Sequence, residues 1–141
     1  MATIFSKIIQ GEIPARFVWK DGACVAFLDS KPLKPGHTLL VPRQEVSNWI
    51  DLDLGTWEHL CRVAKAIGAG LQRAYAPEKV GMMLAGLQVP HAHIHLVPIW
   101  DEADLAFANA DPDPGEEALD EAAQTVRTAL REMGATEVPG D

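Results

Sequence analysis

Three histidines that alternate with apolar residues constrain the fold more than any other feature of this chain. His91, His93 and His95 are separated by single apolar residues, Ala92 and Ile94. Because successive side chains of a β-strand point to opposite faces, this pattern predicts a strand that carries three imidazoles on one face, about 6.6 Å from one to the next. The apolar residues on its other face are expected to pack into a core, so the strand needs a sheet with a second layer behind it.

The rest of the chain supplies the other strands of such a sheet. The dipeptide Asp21-Gly22 is typical of a two-residue hairpin turn, and the segment 31–36 holds two prolines and a glycine, which favours a loop. Segments rich in β-branched and aromatic side chains flank these turns. The predicted strands are residues 16–20, 24–28, 37–41, 80–85 and 91–99.

Two further segments, residues 52–75 and 116–133, have the three- and four-residue spacing of apolar side chains that is typical of an amphipathic helix. Residues 3–13 fit a turn or a short helix. The sequence therefore predicts an α+β fold, in which a five-stranded antiparallel sheet packs against a central helix and a C-terminal helix. We expect a single domain over residues 1–141, with a core over 1–100, an acidic linker over 101–115 and the C-terminal helix over 116–134.

The negative charge of the chain is concentrated at its C-terminal end. Residues 1–100 carry ten Lys and Arg against eight Asp and Glu, whereas residues 101–141 carry two Arg against twelve acidic residues. A nucleic-acid-binding protein normally has a basic face, and the sequence holds no basic cluster. No apolar run approaches the roughly 20 residues of a membrane-spanning helix, and Cys24 and Cys61 lack the spacing of a thiolate zinc site. We therefore expect a cytoplasmic protein without membrane or nucleic-acid partners.

Two kinds of chemistry suit the histidine row. In the first, the imidazoles bind a metal ion, with His37 as a further ligand. In the second, one neutral imidazole attacks phosphorus while protonated neighbours hold the phosphate oxygens, since an unperturbed imidazole has a pKa of about 6.5. No carboxylate lies near the row in sequence, which favours the phosphate chemistry, but the residues alone leave both interpretations open.

The segment His91-Ala-His-Ile-His-Leu-Val97 resembles the signature of the histidine triad (HIT) family of nucleotide hydrolases and transferases. Two earlier segments are similar to other signature blocks of that family: IFSKIIQGEIPA over residues 4–15, and PGHTLLVP over residues 35–42. The resemblance is closest to the Hint branch of nucleoside phosphoramidases and dinucleoside polyphosphate hydrolases. It implies the HIT-like fold, a homodimer, and a reaction at the α-phosphate of a purine nucleoside 5′-monophosphate ester, amide or anhydride.

The resemblance also implies catalytic roles for four histidines. His93 would attack the α-phosphorus and form a nucleotidyl-histidine. His95 and His37 would contact the phosphate and leaving-group oxygens, and His91 would support the row from behind. The resemblance implies no metal ion or other cofactor. The alternatives are a metal-dependent hydrolase that uses the same histidines, and a nucleotide-binding regulatory module with little turnover.

The remaining implied contacts concern the nucleotide. Asp29 would accept hydrogen bonds from the ribose hydroxyls, a role that suits a carboxylate in a loop. Ser30 stands where the family often has an apolar residue against the base, and Gln88 lies in a segment that contacts the phosphate in the family. This segment, residues 82–90, lacks the Asn and the Ser or Thr that Hint-type proteins carry there. The apolar slot for the base would be formed by Ile4, Phe5, Ile8, Ile13, Phe27 and Leu39.

Overall fold

In the computed structural model, which describes residues 2–140, five strands form one antiparallel sheet. Their order across the sheet is β1-β2-β3-β5-β4, and each strand is antiparallel to its neighbours. The predicted α+β fold with a five-stranded antiparallel sheet is confirmed. The strands are β1 (Phe17–Lys20), β2 (Cys24–Leu28), β3 (Thr38–Pro42), β4 (Lys79–Met83) and β5 (Ile94–Ile99).

Three helices accompany the sheet: α1 (Ile4–Ile9), α2 (Leu54–Tyr75) and α3 (Glu116–Glu132). The two long helices pack against each other and against one face of the sheet, as the periodicity predicts. No helix within residues 2–140 is both long and apolar enough to cross a bilayer. The core of this layer includes Leu60, Ile67 and Val126 from the helices and Ala26, Leu40 and Ile94 from the strands.

The opposite face of the sheet carries α1 and is the face on which the histidines lie. Phe5 and Ile8 of α1 pack there against Phe27 and Leu39 of the two neighbouring strands. Leu39 is paired in register with His95 of β5, and residues opposite each other in a ladder share a face. The histidine side of the sheet is therefore covered only by a short helix and loops, which leaves room for a site.

The histidine segment differs from the prediction at its beginning. The strand starts at Ile94 rather than at residue 91, because the backbone N–H groups of His91 and Ala92 donate to the carbonyls of Val89 and Val46 instead of joining the ladder. Only His95 of the three histidines belongs to a strand. The prediction that all three histidines belong to a regular strand was therefore wrong. The rings of His93 and His95 nevertheless lie side by side, with 4.8 Å between their centroids.

Other boundaries also shift. The first hairpin has three residues, 21–23, between its strands rather than two, because the Asp21 carboxylate accepts hydrogen bonds from the N–H groups of Ala23 and Cys24 and so closes a wider loop. His37 lies just before β3 instead of within it, and β4 ends at Met83 rather than at residue 85. The segment predicted as an acidic linker contains two 3₁₀ turns, Glu102–Leu105 and Phe107–Asn109.

Asp21 connects the first hairpin to α2. One of its carboxylate oxygens lies 2.8 Å from the indole nitrogen of Trp19 and 2.8 Å from Nε2 of His59, and both nitrogens donate to it. Burial alone would raise the pKa of Asp21, but these hydrogen bonds and those from Ala23 and Cys24 outweigh it and hold the pKa well below its ordinary range. Asp21, Cys24 and His59 could each offer a metal-ligand atom within 4.8 Å, and their mutual hydrogen bonds account for that proximity.

We predict that Asp21→Asn lowers the free energy of unfolding by about 1.5–3 kcal/mol at neutral pH, the usual range for hydrogen bonds to a charged group. Because the folded-state pKa lies below the unfolded value of about 3.9, this stabilisation is present above that value and is lost as the pH falls. Urea unfolding should therefore show that the difference in free energy of unfolding between wild type and variant is smaller by roughly 1 kcal/mol at about pH 3 than at about pH 6. Asp51→Asn, an exposed carboxylate in a 3₁₀ turn, is the control. An equal gap at both pH values would contradict the assignment.

Candidate active site

His93 is held in one tautomer by its own backbone segment. Its Nδ1 lies 2.8 Å from the carbonyl oxygen of His91, and because a carbonyl can only accept, Nδ1 carries the proton. The opposite nitrogen, Nε2, then carries a lone pair and makes no hydrogen bond to any residue between 2 and 140. Burial lowers the pKa of His93, so the ring is neutral near pH 7. A neutral imidazole with a free lone pair is a nucleophile.

His37 and His95 form a hydrogen-bonded pair whose proton positions follow in the same way. The backbone N–H of Leu33 donates to Nδ1 of His37 at 3.0 Å, so the neutral ring of His37 carries its proton on Nε2. That Nε2 lies 2.9 Å from Nδ1 of His95 and donates to it. His95 is therefore left with an N–H group on Nε2. Since neither ring nitrogen of His37 remains free in this geometry, His37 acts on the site through His95.

The electrostatics of this pair differ from the sequence-based expectation of protonated neighbours. Burial, with a smaller contribution from the nearby His93, lowers the pKa of both His37 and His95 to about 4. At neutral pH the pair is uncharged: His37 donates its one N–H to His95, and His95 keeps one N–H, on Nε2, to offer to a ligand. Such a site offers oriented N–H dipoles to an incoming phosphate rather than full positive charge.

Gly36 places His37 at the start of β3. Its φ of +92° lies in the left-handed region that favours glycine, and a Cβ at this position would collide with the ring of Tyr75. The backbone can therefore turn directly into the strand with the His37 ring buried beneath the loop 31–36. The glycine in the predicted loop thus has a definite role in building the site.

Asp29 lies at the other side of the histidine pair. One carboxylate oxygen accepts the N–H of Lys31 at 2.9 Å, and the other lies 3.7 Å from Nε2 of His37, which is too long for a hydrogen bond. The Lys31 N–H and the neighbouring histidines lower the pKa of Asp29, but burial outweighs them, and the pKa lies above its ordinary value. Its second oxygen is thus the atom that remains available for a ligand.

His91 is fully buried and both of its ring nitrogens have partners. Nε2 donates to the carbonyl of Pro42 at 2.8 Å, and Nδ1 lies 2.8 Å from the hydroxyl of Thr3. The ring therefore presents no atom to a ligand. Its backbone carbonyl, which fixes the proton of His93, is the part of His91 that reaches the reacting group.

Apart from Asp29, the residues predicted to contact the nucleotide divide into two groups. Phe5, Ile8, Phe27 and Leu39 form one buried apolar cluster, and Ile13 packs half-buried against it. The Phe5 ring meets the His93 ring edge-on, with 4.8 Å between the centroids, so this cluster lies directly beside His93. The structure does not bring three other candidates into that cluster: Ile4 is 48% exposed, and Ser30 and Gln88 are exposed.

Two cavities flank the histidines. One, of about 170 Å³, is lined by His93 and Ala92 and by residues 47–49 and 84–87. The other, of about 310 Å³, is lined by Asp29 and His37, by the loop 32–36 and by the beginning of α3. His93 lines the smaller cavity, whereas Asp29 and His37 line the larger one.

Phe107 is a site residue that sequence reasoning missed. Its ring centroid lies 5.2 Å from that of His95, and the side chain is half exposed. The segment that carries it is anchored by Leu105, which fills the space above Gly81, where a Cβ would come within 2.8 Å of the leucine side chain. An aromatic and a leucine within an otherwise acidic segment were the available signal, because a freely solvated linker does not need them.

Comparison with known proteins identifies the family of the chain. A family model described as the HIT domain matches residues 10–101, about two thirds of the chain. The chain belongs to the histidine triad (HIT) family. An uncharacterised HIT-like protein of Saccharolobus solfataricus is 32% identical over 104 residues, which is 70% of this chain and 75% of the relative.

Two further relatives carry names that describe a function. A protein of Arabidopsis thaliana named adenylylsulfatase HINT3 is 27% identical over 136 residues, covering 92% of this chain and 68% of that protein. The crystal structure of a hypothetical histidine triad nucleotide-binding protein from Sulfolobus tokodaii superposes with a TM-score of 0.78 at 26% identity, over 92% of this chain and 93% of that one. HIT proteins are, broadly, nucleotide-binding hydrolases and transferases, and this chain has the fold and family of that group.

We predict that His37 and His95 of this HIT protein stay uncharged until the solution is distinctly acidic. The ring carbon-bound protons of both residues, followed by NMR, should titrate with midpoints near pH 4, because burial disfavours their charged forms. The same resonances in the urea-unfolded protein supply the reference and should titrate near the ordinary value of about 6.5. Folded-state midpoints near that ordinary value would show that burial does not lower the pKa of the pair, and would contradict the electrostatics described above.

Proposed function

We propose that this HIT protein is a nucleotide hydrolase or transferase that acts on the α-phosphate of a nucleoside 5′-monophosphate ester, amide or anhydride, through a nucleotidyl-histidine on His93. The observation that carries the proposal is the fixed tautomer of His93, with its proton held by the His91 carbonyl and its lone pair left on Nε2. A serine or cysteine nucleophile usually needs a neighbouring base, whereas a neutral imidazole already has the lone pair it uses.

The first chemical step is an in-line displacement at phosphorus. Nε2 of His93 forms a bond to the α-phosphorus while the bond between phosphorus and the leaving group breaks, and the leaving group departs with that electron pair and takes a proton from solvent. The N–H on Nε2 of His95 donates to an oxygen on which negative charge develops. The hydrogen bond from His37 keeps the His95 ring in the tautomer and orientation that this donation requires.

The second step is another in-line displacement, in which water or another acceptor attacks phosphorus and His93 is the leaving group. Its oxygen bonds to phosphorus, the N–P bond breaks, and the electron pair returns to Nε2 of His93, so that nucleoside monophosphate and one proton are released. The cavity of about 170 Å³ beside His93 supplies the space through which both the leaving group and the water pass. Ser47 and Asn48 line this cavity, and their polar side chains are candidates to contact the groups that pass through it.

The nucleoside is assigned to the apolar cluster under α1 and to Asp29. Phe5 places that cluster beside His93, so a base bound there brings its 5′-phosphate towards the nucleophile. The uncommitted oxygen of Asp29 is suited to accept a ribose hydroxyl. The name adenylylsulfatase, borne by the relative from Arabidopsis thaliana, supports an adenylyl group, and hence a purine, as the transferred part.

The assembly and its location are also part of this proposal. Several large apolar side chains stay exposed, and soluble monomers rarely expose large apolar patches, which supports a homodimer. Both cysteines of the chain are free thiols, which supports a reducing, cytoplasmic compartment. The exposed apolar residues include Trp49, Ile50, Leu54 and Met82.

A metal-dependent hydrolase is the second candidate, and a specific observation favours it. Asp29, His37 and His95 can each place one ligand atom within 4.8 Å of the others. Against it, His37 already uses one nitrogen as an acceptor for a backbone N–H and the other as a donor to His95. A metal ion would have to break the bond between the two imidazoles, and His93 would then have no direct part in the chemistry.

The covalent intermediate distinguishes these candidates. We predict that quenching during turnover of an adenosine 5′-phosphoramidate, without acid because the N–P bond is acid-labile, yields a peptide containing His93 with the added mass of one adenylyl group. His93→Ala should lose nearly all turnover yet bind AMP within about tenfold of wild type, or ~1.4 kcal/mol, because the apolar cluster and the other donors remain. Mass spectrometry and calorimetry measure the two effects.

Excess EDTA should leave the turnover of the wild-type protein unchanged. Loss of activity with chelator and its return with zinc would instead make water the nucleophile and favour the metal-dependent hydrolase. An adduct on His91 or His95 would contradict the assignment of the nucleophile. Tight binding of AMP without turnover of any phosphoramidate or dinucleotide would favour the alternative that the protein is a nucleotide-binding regulatory module.

A further inference from the structure

The carboxylate of Glu45 joins the beginning of α1 to the end of β3. A single oxygen, Oε1, accepts the backbone N–H of Thr3 at 2.8 Å and the hydroxyl of Ser6 at 2.7 Å. Glu45 follows β3 by three residues, and Thr3 is the N-cap of α1. We call Thr3, Ser6 and Glu45 the latch, because together they connect a six-residue helix to the sheet.

The latch extends to the ring of His91 through the hydroxyl of Thr3. Nε2 of His91 donates to the Pro42 carbonyl, so in the neutral ring Nδ1 must accept, and the Thr3 hydroxyl at 2.8 Å donates to it. The same hydroxyl oxygen accepts the N–H of Ser6 at 3.1 Å as the cap of the helix. Both nitrogens of the fully buried His91 ring are therefore fixed, one from the sheet and one from the latch.

His91 in turn determines the state of His93. Its carbonyl oxygen is the acceptor, at 2.8 Å, that keeps the proton of His93 on Nδ1 and the lone pair on Nε2. Residues 91–93 lie outside the ladder of β5, so regular strand hydrogen bonds do not hold this carbonyl. The peptide that carries this carbonyl is held on one side by the N–H of Ala92, which donates to the Val46 carbonyl at 2.7 Å. The side chain of His91 anchors the residue on the other side, and Phe5 of α1 packs edge-on against both imidazoles.

We propose that the latch is a positioning device for the nucleophile: Thr3, Ser6 and Glu45 orient His91 so that its carbonyl holds His93 in the tautomer that can attack phosphorus. This inference rests on the function proposed above and adds three positioning residues to it. None of the three touches the reacting atoms; they act through His91.

A purely structural role as a helix cap makes a different demand on Thr3. Capping uses a lone pair of the hydroxyl oxygen, whereas the contact with His91 uses its proton. Removing the hydroxyl leaves Nδ1 of His91 buried without a donor, which favours rotation of that ring or a change of its tautomer. Either change breaks a side-chain anchor of His91 and leaves its carbonyl held only through the hydrogen bond from Ala92 to Val46. The His91 backbone can then shift, so the effect reaches His93 even where the fold is intact.

The variant Thr3→Val tests this, because it keeps the shape of the side chain and removes the hydroxyl. We expect kcat with an adenosine 5′-phosphoramidate to fall about tenfold or more while KM stays within about threefold. The ring ¹⁵N chemical shifts of His93, which report which nitrogen carries the proton, should move from one tautomer towards a mixture of both. Thr3→Ser, which restores the hydroxyl, should recover most of the lost kcat and the wild-type ¹⁵N shifts.

A second pair of variants tests the other end of the latch. Glu45→Gln keeps a carbonyl oxygen that can accept from Ser6 and Thr3 and should retain most of the activity, whereas Glu45→Ala should lower kcat severalfold. Thr125→Val, on α3, is the matched control: its hydroxyl donates to a carbonyl of its own helix, and it should behave as wild type. Urea unfolding of each variant identifies any that has lost its fold.

The latch is contradicted if a folded Thr3→Val keeps the wild-type kcat and the wild-type ¹⁵N shifts of His93, or if Thr3→Ser fails to restore them. Failure of the proposed function is a separate result. If the wild-type protein turned over no phosphoramidate or dinucleotide, the proposed function would be contradicted. The ¹⁵N spectra of wild type and Thr3→Val would still show whether the latch controls the tautomer of His93.

Discussion

The hydrogen bond from Nδ1 of His93 to the carbonyl of His91 is the interaction on which the chemistry of this site depends. A free neutral imidazole interconverts between two tautomers, and only one of them places a lone pair on Nε2. The carbonyl removes that choice because it can only accept. Much of the surrounding structure bears on this bond: the sheet fixes one nitrogen of His91, Thr3 fixes the other, and Phe5 packs against both rings.

The same rule, applied to His37 and His95, gives a site without net positive charge. A backbone N–H fixes His37, His37 fixes His95, and burial keeps both rings neutral. Donors oriented before the substrate arrives need no reorganisation when negative charge develops, and in a partly buried site they act more strongly than in water. Because both rings are neutral, each has only one N–H group to donate. The orientation of each ring therefore matters more than the number of histidines.

The sequence was sufficient to predict the fold class and to predict which histidines lie together, for identifiable physical reasons. Periodicity of two and of 3.6 residues depends on local burial, so the strands, α2 and α3 lie within a few residues of their predicted positions. The family resemblance placed Phe5, Phe27 and Leu39 together, and the structure shows them in one cluster.

What sequence could not supply are features that depend on contacts distant in the chain. The strand begins at Ile94 because the N–H of Ala92 finds the carbonyl of Val46. Phe107 reaches His95 only because Leu105 anchors the intervening segment at Gly81. The neutral charge of the histidine pair follows from burial, and the partnership of Thr3 with His91 spans 88 residues. No local pattern encodes these contacts.

If His93 is the nucleophile, phosphorus undergoes two in-line displacements, the first by Nε2 of His93 and the second by water. Each in-line displacement inverts the configuration at phosphorus, so two of them restore it. The most direct measurement is the stereochemical course of hydrolysis of a substrate made chiral at the α-phosphorus with sulfur and oxygen isotopes, analysed by ³¹P NMR of the nucleoside phosphorothioate released. A reaction through a nucleotidyl-histidine on His93 predicts net retention of configuration. Net inversion would mean that water attacks the substrate directly and that His93 is not the nucleophile.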